Sequence, residues 1–213
     1  MAGFFYRGRM TVTRVAVFID YQNVYRGAQR AFFGSDSSHH IAGQVNPLKL
    51  GLVLAGTEEP DRELVEVRTY RGLPSSKHDP IGYAAAYRQI TLWENEALVV
   101  ARHRPINYRD PRNPREKGID VLLAVDFVMM AIREEFDVGV IFSADTDLLP
   151  ALEAVAEAKG PQACEVAAWI PSDGTSPIVL RPPGLRVRVH GLNEQRYLQV
   201  HDPNDYSRRR RRR

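Results

Sequence analysis

Apolar residues along this chain fall either into short continuous runs or into segments with helical spacing. Short runs rich in β-branched residues predict strands, because buried parallel strands are apolar on both faces. We predict strands over residues 14–20, 63–70, 98–101, 138–142, 164–170 and 185–189. Apolar positions spaced three to four residues apart predict helices over residues 21–33, 47–55, 80–97 (opening at 79 or 80), 121–132 and 148–159. Strands that alternate with helices predict an α/β fold, in which three αβα layers surround a mostly parallel central sheet.

The pattern divides the chain into three parts. Residues 1–13 lack the apolar segment of a signal peptide, and we interpret them as a leader that could be flexible. Residues 14–200 hold all the predicted elements, and a hydrophobic content of 44% favours one compact core. Residues 201–213 form an arginine-rich tail that we expect to be disordered.

Charge is distributed unevenly between the tail and the body. The chain has 29 lysines and arginines against 26 acids, a formal charge of +3. Residues 208–213 are six consecutive arginines, and without them 23 basic residues face 26 acids, a charge of −3. Because clustered arginines attract polyanions, the tail indicates attraction to nucleic acid, although an incidental tail is the alternative.

Two further features of composition narrow the class of protein. A single cysteine, Cys164, excludes a disulfide framework within the chain. No apolar stretch approaches the length needed to span a bilayer, so we predict a cytoplasmic protein without a membrane partner.

Residues 104–117 interrupt the alternation of strands and helices. They hold five basic residues, three prolines and a tyrosine, which predicts an exposed loop. Arginines pair with phosphates and a tyrosine can stack on bases, so the loop is a candidate nucleic-acid contact, with an ordinary polar loop as the alternative. The candidate contacts, which become RNA contacts under the family resemblance described below, are Arg104, Tyr108, Arg109, Arg112 and Arg115 in the loop, and Arg208, Arg209 and Arg210 in the tail.

Four aspartates lie where parallel strands or the helices after them meet one edge of the predicted sheet. Asp20 ends the first strand, Asp120 lies in the first turn of a helix, and Asp145 and Asp147 follow the strand over 138–142. Each alone could cap a helix. Gathered at one edge, they would repel one another unless a cation neutralised them. Oxygen ligands without cysteine or histidine spacing favour Mg²⁺ or Mn²⁺ over structural zinc.

Other phosphate chemistries lack their motifs. The chain contains neither a Gly-x-Gly-x-x-Gly fingerprint nor a Walker lysine loop. A phosphatase that forms an aspartyl phosphate would have Asp-x-Asp after its first strand, whereas Gln22 occupies the second position here.

Three segments resemble the signatures of NYN domains, which form a branch of the PIN-like metal-dependent ribonucleases. They are residues 18–23 (FIDYQN), 117–120 (KGID) and 143–147 (SADTD), within a resemblance that covers about residues 14–170. Asp20, Asp120 and Asp145 match the family's metal-binding carboxylates, Asn23 and Lys117 its motif asparagine and lysine, and Asp147 the second acid of the last motif. Leu148 stands where the family commonly has phenylalanine. The resemblance implies a PIN-like fold and a metal-dependent ribonuclease.

Roles follow from the charge that phosphodiester hydrolysis develops, which one or two Mg²⁺ or Mn²⁺ ions can stabilise. We assign Asp20 and Asp145 to metal ligation, and Asp120 and Asp147 to ligation or water positioning. Asn23 would hold a water or a substrate phosphate, and Lys117 would offset charge on the scissile phosphate or pair with Glu116 or solvent.

Two polar residues near the motifs have supporting interpretations. Ser143 is expected to steady the site, since a nucleophilic serine would need a histidine base and none is close in sequence. Asp126, an acid within an apolar helix, is interpreted as a structural carboxylate whose hydrogen bonds are satisfied within the fold. The alternative is that it hydrogen-bonds to a metal ligand without contacting the metal.

Two rival functions remain open. The first is an RNA-binding PIN-like module without catalysis, against which the retained acids speak. The second is a metal-dependent phosphohydrolase of small nucleotides, which would not need the basic loop and tail. A homo-oligomer or an inhibitory protein partner also stays open.

Overall fold

A computed structural model of the chain describes residues 12–34, 40–56, 61–110, 112 and 114–208. Six strands in this part of the chain form one sheet of order β3-β2-β1-β4-β5-β6, and every neighbouring pair is parallel. The strands are β1 (Thr13–Asp20), β2 (Arg62–Leu73), β3 (Val99–Pro105), β4 (Val138–Phe142), β5 (Cys164–Trp169) and β6 (Arg188–Leu192). The predicted α/β class with a parallel central sheet is confirmed.

Helices cover both faces of the sheet. They are α1 (Tyr21–Phe32), α2 (Pro47–Ala55), α3 (Pro80–Trp93), α4 (Ile119–Ile132), α5 (Leu149–Lys159) and α6 (Glu194–Val200). Alternate residues of β1 feed two cores: Val17 packs with α1, α2, α3 and α6, whereas Phe18 packs with α4 and α5. The sheet is therefore the middle of three layers, as its apolar strands predict.

The direction of strand order reverses between β1 and β4. From β1 the chain moves through β2 to β3 on one side, and it then returns to place β4, β5 and β6 on the other. A crevice opens at the carboxyl ends of the two central strands at such a switch point, and open α/β sheets bind their ligands there. Asp20 ends β1 at this point, and Asp145 follows three residues after the end of β4.

Close packing of α4 on β4 brings a third acid toward that point. A Cβ on Gly139 of β4 would lie 2.4 Å from Cε2 of Phe127 in α4, which is closer than side chains tolerate. Glycine thus lets the helix approach the strand, and Phe127 also packs edge-on against Phe18 with ring centres 5.1 Å apart. Asp120 lies in the first turn of the same helix.

Several predicted boundaries differ from the structure. Helix α3 ends at Trp93, before residue 97, and β3 extends to Pro105, so Arg104 belongs to a strand end and not to the loop. The last strand was predicted over residues 185–189 and lies over Arg188–Leu192. Its register places Arg188 and His190 beside the buried Glu165 of β5. Alternation alone did not reveal that long-range pairing.

The predicted tail begins later than residue 201. Helix α6, capped by Asn193, was not predicted, and after it Asp202 is buried with its backbone amide donating to the Gln44 carbonyl at 3.2 Å. The Tyr206 hydroxyl donates to Asp202 at 2.6 Å, and Arg88 of α3 donates to the Tyr206 carbonyl. Residues 202–207 therefore contact the body, which corrects the predicted start of disorder. Residues 1–11 of the leader and 209–213 of the tail lie outside the described residues.

Candidate active site

Asp20 is buried at the switch point and held by donors from two elements. Its Oδ1 accepts from the backbone amide of Asn23 at 3.2 Å and its Oδ2 from the Asn23 side chain at 2.7 Å, so it caps α1. Oδ2 also accepts from the Ser143 hydroxyl at 2.8 Å, from beyond the end of β4. Burial raises the pKa of the Asp20 carboxyl, while the hydrogen bonds from Ser143 and Asn23 lower it and the charge of Asp145 raises it further.

Ser143 connects the ends of β1 and β4. Its hydroxyl donates to Asp20 and accepts from the backbone amide of Asp145 at 3.0 Å. Asp145 then caps a short 3₁₀ turn by accepting from the amide of Asp147 at 3.0 Å. The loop after β4 is thus fixed by polar contacts that leave the partly exposed Asp145 carboxylate beside Asp20.

Asp120 belongs to the same group of charges. It lies in the first turn of α4, after Gly118, which adopts a left-handed conformation with φ of 75°. Burial, followed by the nearby charges of Asp20 and Asp145, raises the pKa of Asp120 to about 6. This shift shows that Asp120 shares an electrostatic environment with both of the strand-end aspartates.

Glu116 is a fourth acid, and the sequence analysis gave it no role in the site. Its Oε1 accepts from the backbone amide of Gly72, at the end of β2, at 2.9 Å. Burial and the charge of Asp20 raise its pKa, and Arg71 and Arg26 lower it. We name Asp20, Asp120, Asp145 and Glu116 the acid cluster. The position of Glu116 directly before the KGID motif was the available signal.

The other motif residues take less buried positions. Asn23 is partly buried and is fully engaged with Asp20. Lys117 is exposed and forms no hydrogen bond or ion pair with any residue that the structure describes, so the predicted alternative of pairing with Glu116 is not seen. Asp147 is also exposed, and its contact with the site is the hydrogen bond that its backbone amide donates to the Asp145 carboxylate.

The donor chemistry of the acid cluster fits a hard divalent cation. All four side chains offer carboxylate oxygens, and none of them forms an ion pair with a described arginine, lysine or histidine. Within the described ranges, however, no three acidic, histidine or cysteine side chains lie close enough to form a preformed metal cage. A cation bound there would have to draw the carboxylates closer together.

Asp126 lies in a different set of contacts. Its Oδ2 accepts from the Tyr70 hydroxyl at 3.0 Å and from Arg102 Nε at 3.0 Å, and Arg68 approaches at 3.3 Å. These partners come from β2 and β3. The contacts agree with the interpretation as a satisfied structural carboxylate and show no bond to the acid cluster.

The described residues that were predicted to contact RNA lie in two places, the loop that precedes α4 and the C-terminal segment. Arg104, Arg109, Arg112 and Arg115 are exposed, and an antiparallel bridge between Asn107 and Arg115 closes their loop. Tyr108 stacks on His78 with ring centres 4.8 Å apart, so one face of its ring is already covered. Arg208 is 86% exposed and pairs with Asp205 at 3.0 Å. Arg209 and Arg210 lie outside the described residues.

Two cavities are lined by residues that contact or adjoin Asp20. One, of about 190 Å³, is lined by Asn23 and Ser143, which bond to Asp20, and reaches Trp169 of β5. The other, of about 270 Å³, lies between α1 and α3 and is lined by Tyr21, which follows Asp20, and by Arg71 of β2.

A fully parallel sheet with acids at its switch point defines an α/β protein with a candidate metal-binding crevice. The sequence model of the NYN domain matches residues 14–178, so the chain belongs to the NYN domain family, whose PIN-like fold is of the nuclease type. The resemblance carried by the three motifs is thereby confirmed.

Comparison with solved structures supports the fold alone. A crystal structure of a protein of unknown function from Vibrio parahaemolyticus has 17% sequence identity and a TM-score of 0.55. The match covers 91% of this chain and 98% of that one. No curated protein matches the chain. None of the described helices has the length and apolar character to cross a membrane.

Proposed function

We propose that this protein is a divalent-metal-dependent ribonuclease that hydrolyses phosphodiester bonds in RNA at the acid cluster. The observation that carries the proposal is the gathering of Asp20, Asp120 and Asp145 at the switch point without a cationic partner among the described residues. The family's nuclease-type fold supports the same reading.

The acids of the chain would supply the metal ligands. Asp20 and Asp145 are the proposed ligands, with Asp120 and Asp147 as further ligands or as groups that position water. A bound Mg²⁺ or Mn²⁺ would provide a nucleophilic water and stabilise charge on the phosphate.

Other residues hold this arrangement in place. Ser143 and Asn23 fix the orientation of Asp20 through their hydrogen bonds. Lys117 is proposed to offset negative charge on the scissile phosphate, since its ammonium is exposed and unpaired within the described part of the chain. The cytoplasmic location suggested by the sequence remains part of this proposal.

Incubation of pure protein with structured and single-stranded RNA tests the reaction. We expect cleavage with Mn²⁺ or Mg²⁺ and none with EDTA, and we expect Asp145→Asn to abolish cleavage with little loss of RNA binding. Asp137→Asn is the matched control, because Asp137 pairs with Arg14 at the opposite edge of the sheet. Cleavage in EDTA, or undiminished cleavage by Asp145→Asn, would contradict the proposal.

The exposed arginines of the loop and the tail are proposed to supply affinity for RNA. Deleting residues 208–213 should weaken binding and flatten its dependence on log salt, because fewer counterions are released. Fluorescence anisotropy of a labelled RNA at several salt concentrations measures both quantities. An unchanged slope would mean that the tail does not contact RNA.

One observation favours a second candidate, an RNA-binding module without catalysis. Both oxygens of Asp20 already accept hydrogen bonds from Asn23 and Ser143, and the acids do not form a preformed cage in the described residues. RNA binding with no cleavage under any divalent ion would select this candidate.

A further inference from the structure

Arg71 lies beside the acid cluster and takes no part in the reaction proposed above. It follows Tyr70 in β2, and Tyr70 is the register partner of Asp20 in β1. Its side chain faces α1 and α3, where its Cζ lies 5.3 Å from the ring centre of Tyr21 and 5.9 Å from that of Trp93. These cation–π contacts hold the guanidinium against Tyr21 and Trp93. Along β2, Arg71 is one residue past the level of Asp20 in the sheet.

Hydrogen bonds fix one end of this guanidinium. Nη1 donates to the side-chain oxygen of Gln89. The Gln89 amide nitrogen donates in turn to the Tyr21 hydroxyl at 2.8 Å and to Gln44 at 3.0 Å, and all three residues are buried. The amide of Gln89 is therefore oriented with its oxygen toward Arg71, which holds the plane of the guanidinium.

The other edge of the guanidinium has donors to spare. Nε is buried and has no hydrogen-bond partner among the described residues. The hydrogen bond from Arg71 to Gln89 uses Nη1 instead. An unpaired donor shielded from water costs free energy, which is why such groups usually have partners. The Nε side of a guanidinium is a planar fork that fits the oxygens of a phosphate or carboxylate.

The charge of Arg71 is also incompletely balanced. Burial lowers its pKa, and the influence of Tyr21 and Glu116 opposes that effect. Glu116 forms no ion pair with Arg71 in the described structure, and its Oε1 accepts from the Gly72 amide. A partly buried cation without a paired anion gains from an anionic ligand.

Arg71, whose Nε is unpaired, lines an open cavity. The space of about 270 Å³ is bounded by Arg71 together with Tyr21, Gln22, Tyr25, His40 and Tyr206. Tyr21 follows Asp20 directly, so the cavity adjoins the site of the proposed reaction. Tyr206 brings the start of the basic tail to the same cavity.

We propose that Arg71 forms a subsite for a backbone phosphate of the RNA strand, next to the phosphate that is cleaved. The proposal rests on the proposed function for the identity of the polyanion. It assigns to Arg71 the positioning of substrate, and it predicts recognition of the backbone without preference for a base, since a phosphate carries no sequence information.

Binding of a labelled single-stranded RNA in EDTA tests the subsite apart from cleavage. We expect Arg71→Met, which keeps an unbranched apolar side chain between the rings, to weaken binding about tenfold and to reduce the log-salt slope by about 0.7, the value for one phosphate contact on a single strand. Arg71→Lys should recover part of the affinity, because it restores the charge and not the fork. Arg14→Met removes a charge from the opposite edge and should leave both quantities unchanged.

Nitrogen NMR of the wild-type protein gives a second readout that does not depend on a variant folding. The Nε–H resonance of Arg71 should shift when the same RNA is added in EDTA, because the anion would accept its proton. A folded Arg71→Met with wild-type affinity and slope, or an Nε–H resonance that RNA does not move, would overturn the subsite. Arg71-dependent binding with no metal-dependent cleavage would retain the subsite and reject the nuclease.

Discussion

Three acids, of which Asp20 is buried and the others are partly exposed, lie at one edge of the sheet, and the buried Glu165 lies toward the other, with different partners. At the carboxyl edge, Asp20, Asp120 and Asp145 influence one another and have no paired cation in the described structure. Toward the amino edge, Glu165 is the second residue of β5 and receives Arg62 at 2.9 Å, His190 at 2.6 Å and Arg188 at 3.9 Å.

The two groups consequently have opposite pKa shifts. Burial and neighbouring acids raise the pKa of Asp120 to about 6. Burial also disfavours the ionised form of Glu165, but hydrogen bonds from His190 and Arg62 outweigh it and lower that pKa to about 2. The chain thus neutralises the acid that holds its structure together. The acids left without a partner are the ones suited to an external cation.

The largest effect on stability is expected from Glu165→Gln. The change would leave Arg62, whose side chain is 9% exposed, buried without its counter-charge. Removing one partner of a buried ion pair typically costs about 3–5 kcal/mol. Urea unfolding should show this loss against Glu157→Gln, an exposed glutamate of α5 that serves as the control. A loss no greater than that of the control would mean that the Glu165 contacts do not stabilise the fold.

The second largest effect is stabilisation of the folded protein by a metal ion that binds at the acid cluster. Mn²⁺ that binds only the folded state should add about 2.7 kcal/mol at one hundred times its Kd. Asp145→Asn should respond markedly less, and Asp145→Ala should respond likewise while also losing the cap on the 3₁₀ turn. Thermal melts of the three proteins with EDTA and with Mn²⁺ provide the measurement. Equal responses would remove Asp145 from the metal site.

The smallest effect is a difference in pH dependence between the two groups. The pKa of Asp120 is raised from 3.8 to about 6, so the folded state binds its proton more tightly and loses stability as the pH rises through that window. The pKa of Glu165 is lowered from 4.5 to about 2, so its contribution is present above pH 4.5 and is lost as the pH falls toward 2.

Asp120→Asn isolates the first of these slopes. In EDTA its free energy of unfolding, relative to wild type, should rise between pH 4 and pH 6 and then level off. Asp137→Asn is the control without a slope in this range, because a hydrogen bond from Arg14 lowers the pKa of Asp137 from 3.8 and its contribution changes only at lower pH. Urea midpoints at four pH values would suffice, and parallel curves for Asp120→Asn and wild type would refute the shared environment of the acids.

Sequence reasoning located the acids because strand ends can be recognised locally. Asp20 and Asp145 follow apolar runs, and a parallel sheet brings the ends of such runs to one edge. Glu116 and Arg71 escaped because their proximity to Asp20 depends on how β2 and the segment before α4 pack, which no local pattern contains. The sequence did contain one indication for Arg71. Residues two or four apart in a strand share a face, so the alternation in β2 places Arg71 on the same buried face as Val67.

Long-range polar pairing explains the other errors. In the register of β6, Arg188 pairs with Glu165, which is 23 residues away in the chain. A pattern read over a short stretch of sequence cannot reveal a partner at that distance. The docking of residues 202–207 depends on the buried Asp202 and on Arg88 of α3. Composition alone grouped that segment with the arginines that follow it.

The anchored C-terminal segment gives the arginines a fixed origin. Because Arg88 holds the Tyr206 carbonyl, the chain leaves the body beside the cavity of Arg71, and five further residues can extend at most about 18 Å from Arg208. A tether this short confines its charges to a small volume and raises their effective concentration there. RNA drawn in by the arginines would therefore arrive within one short tether length of the crevice, and the same arginines on a long linker would lose this advantage.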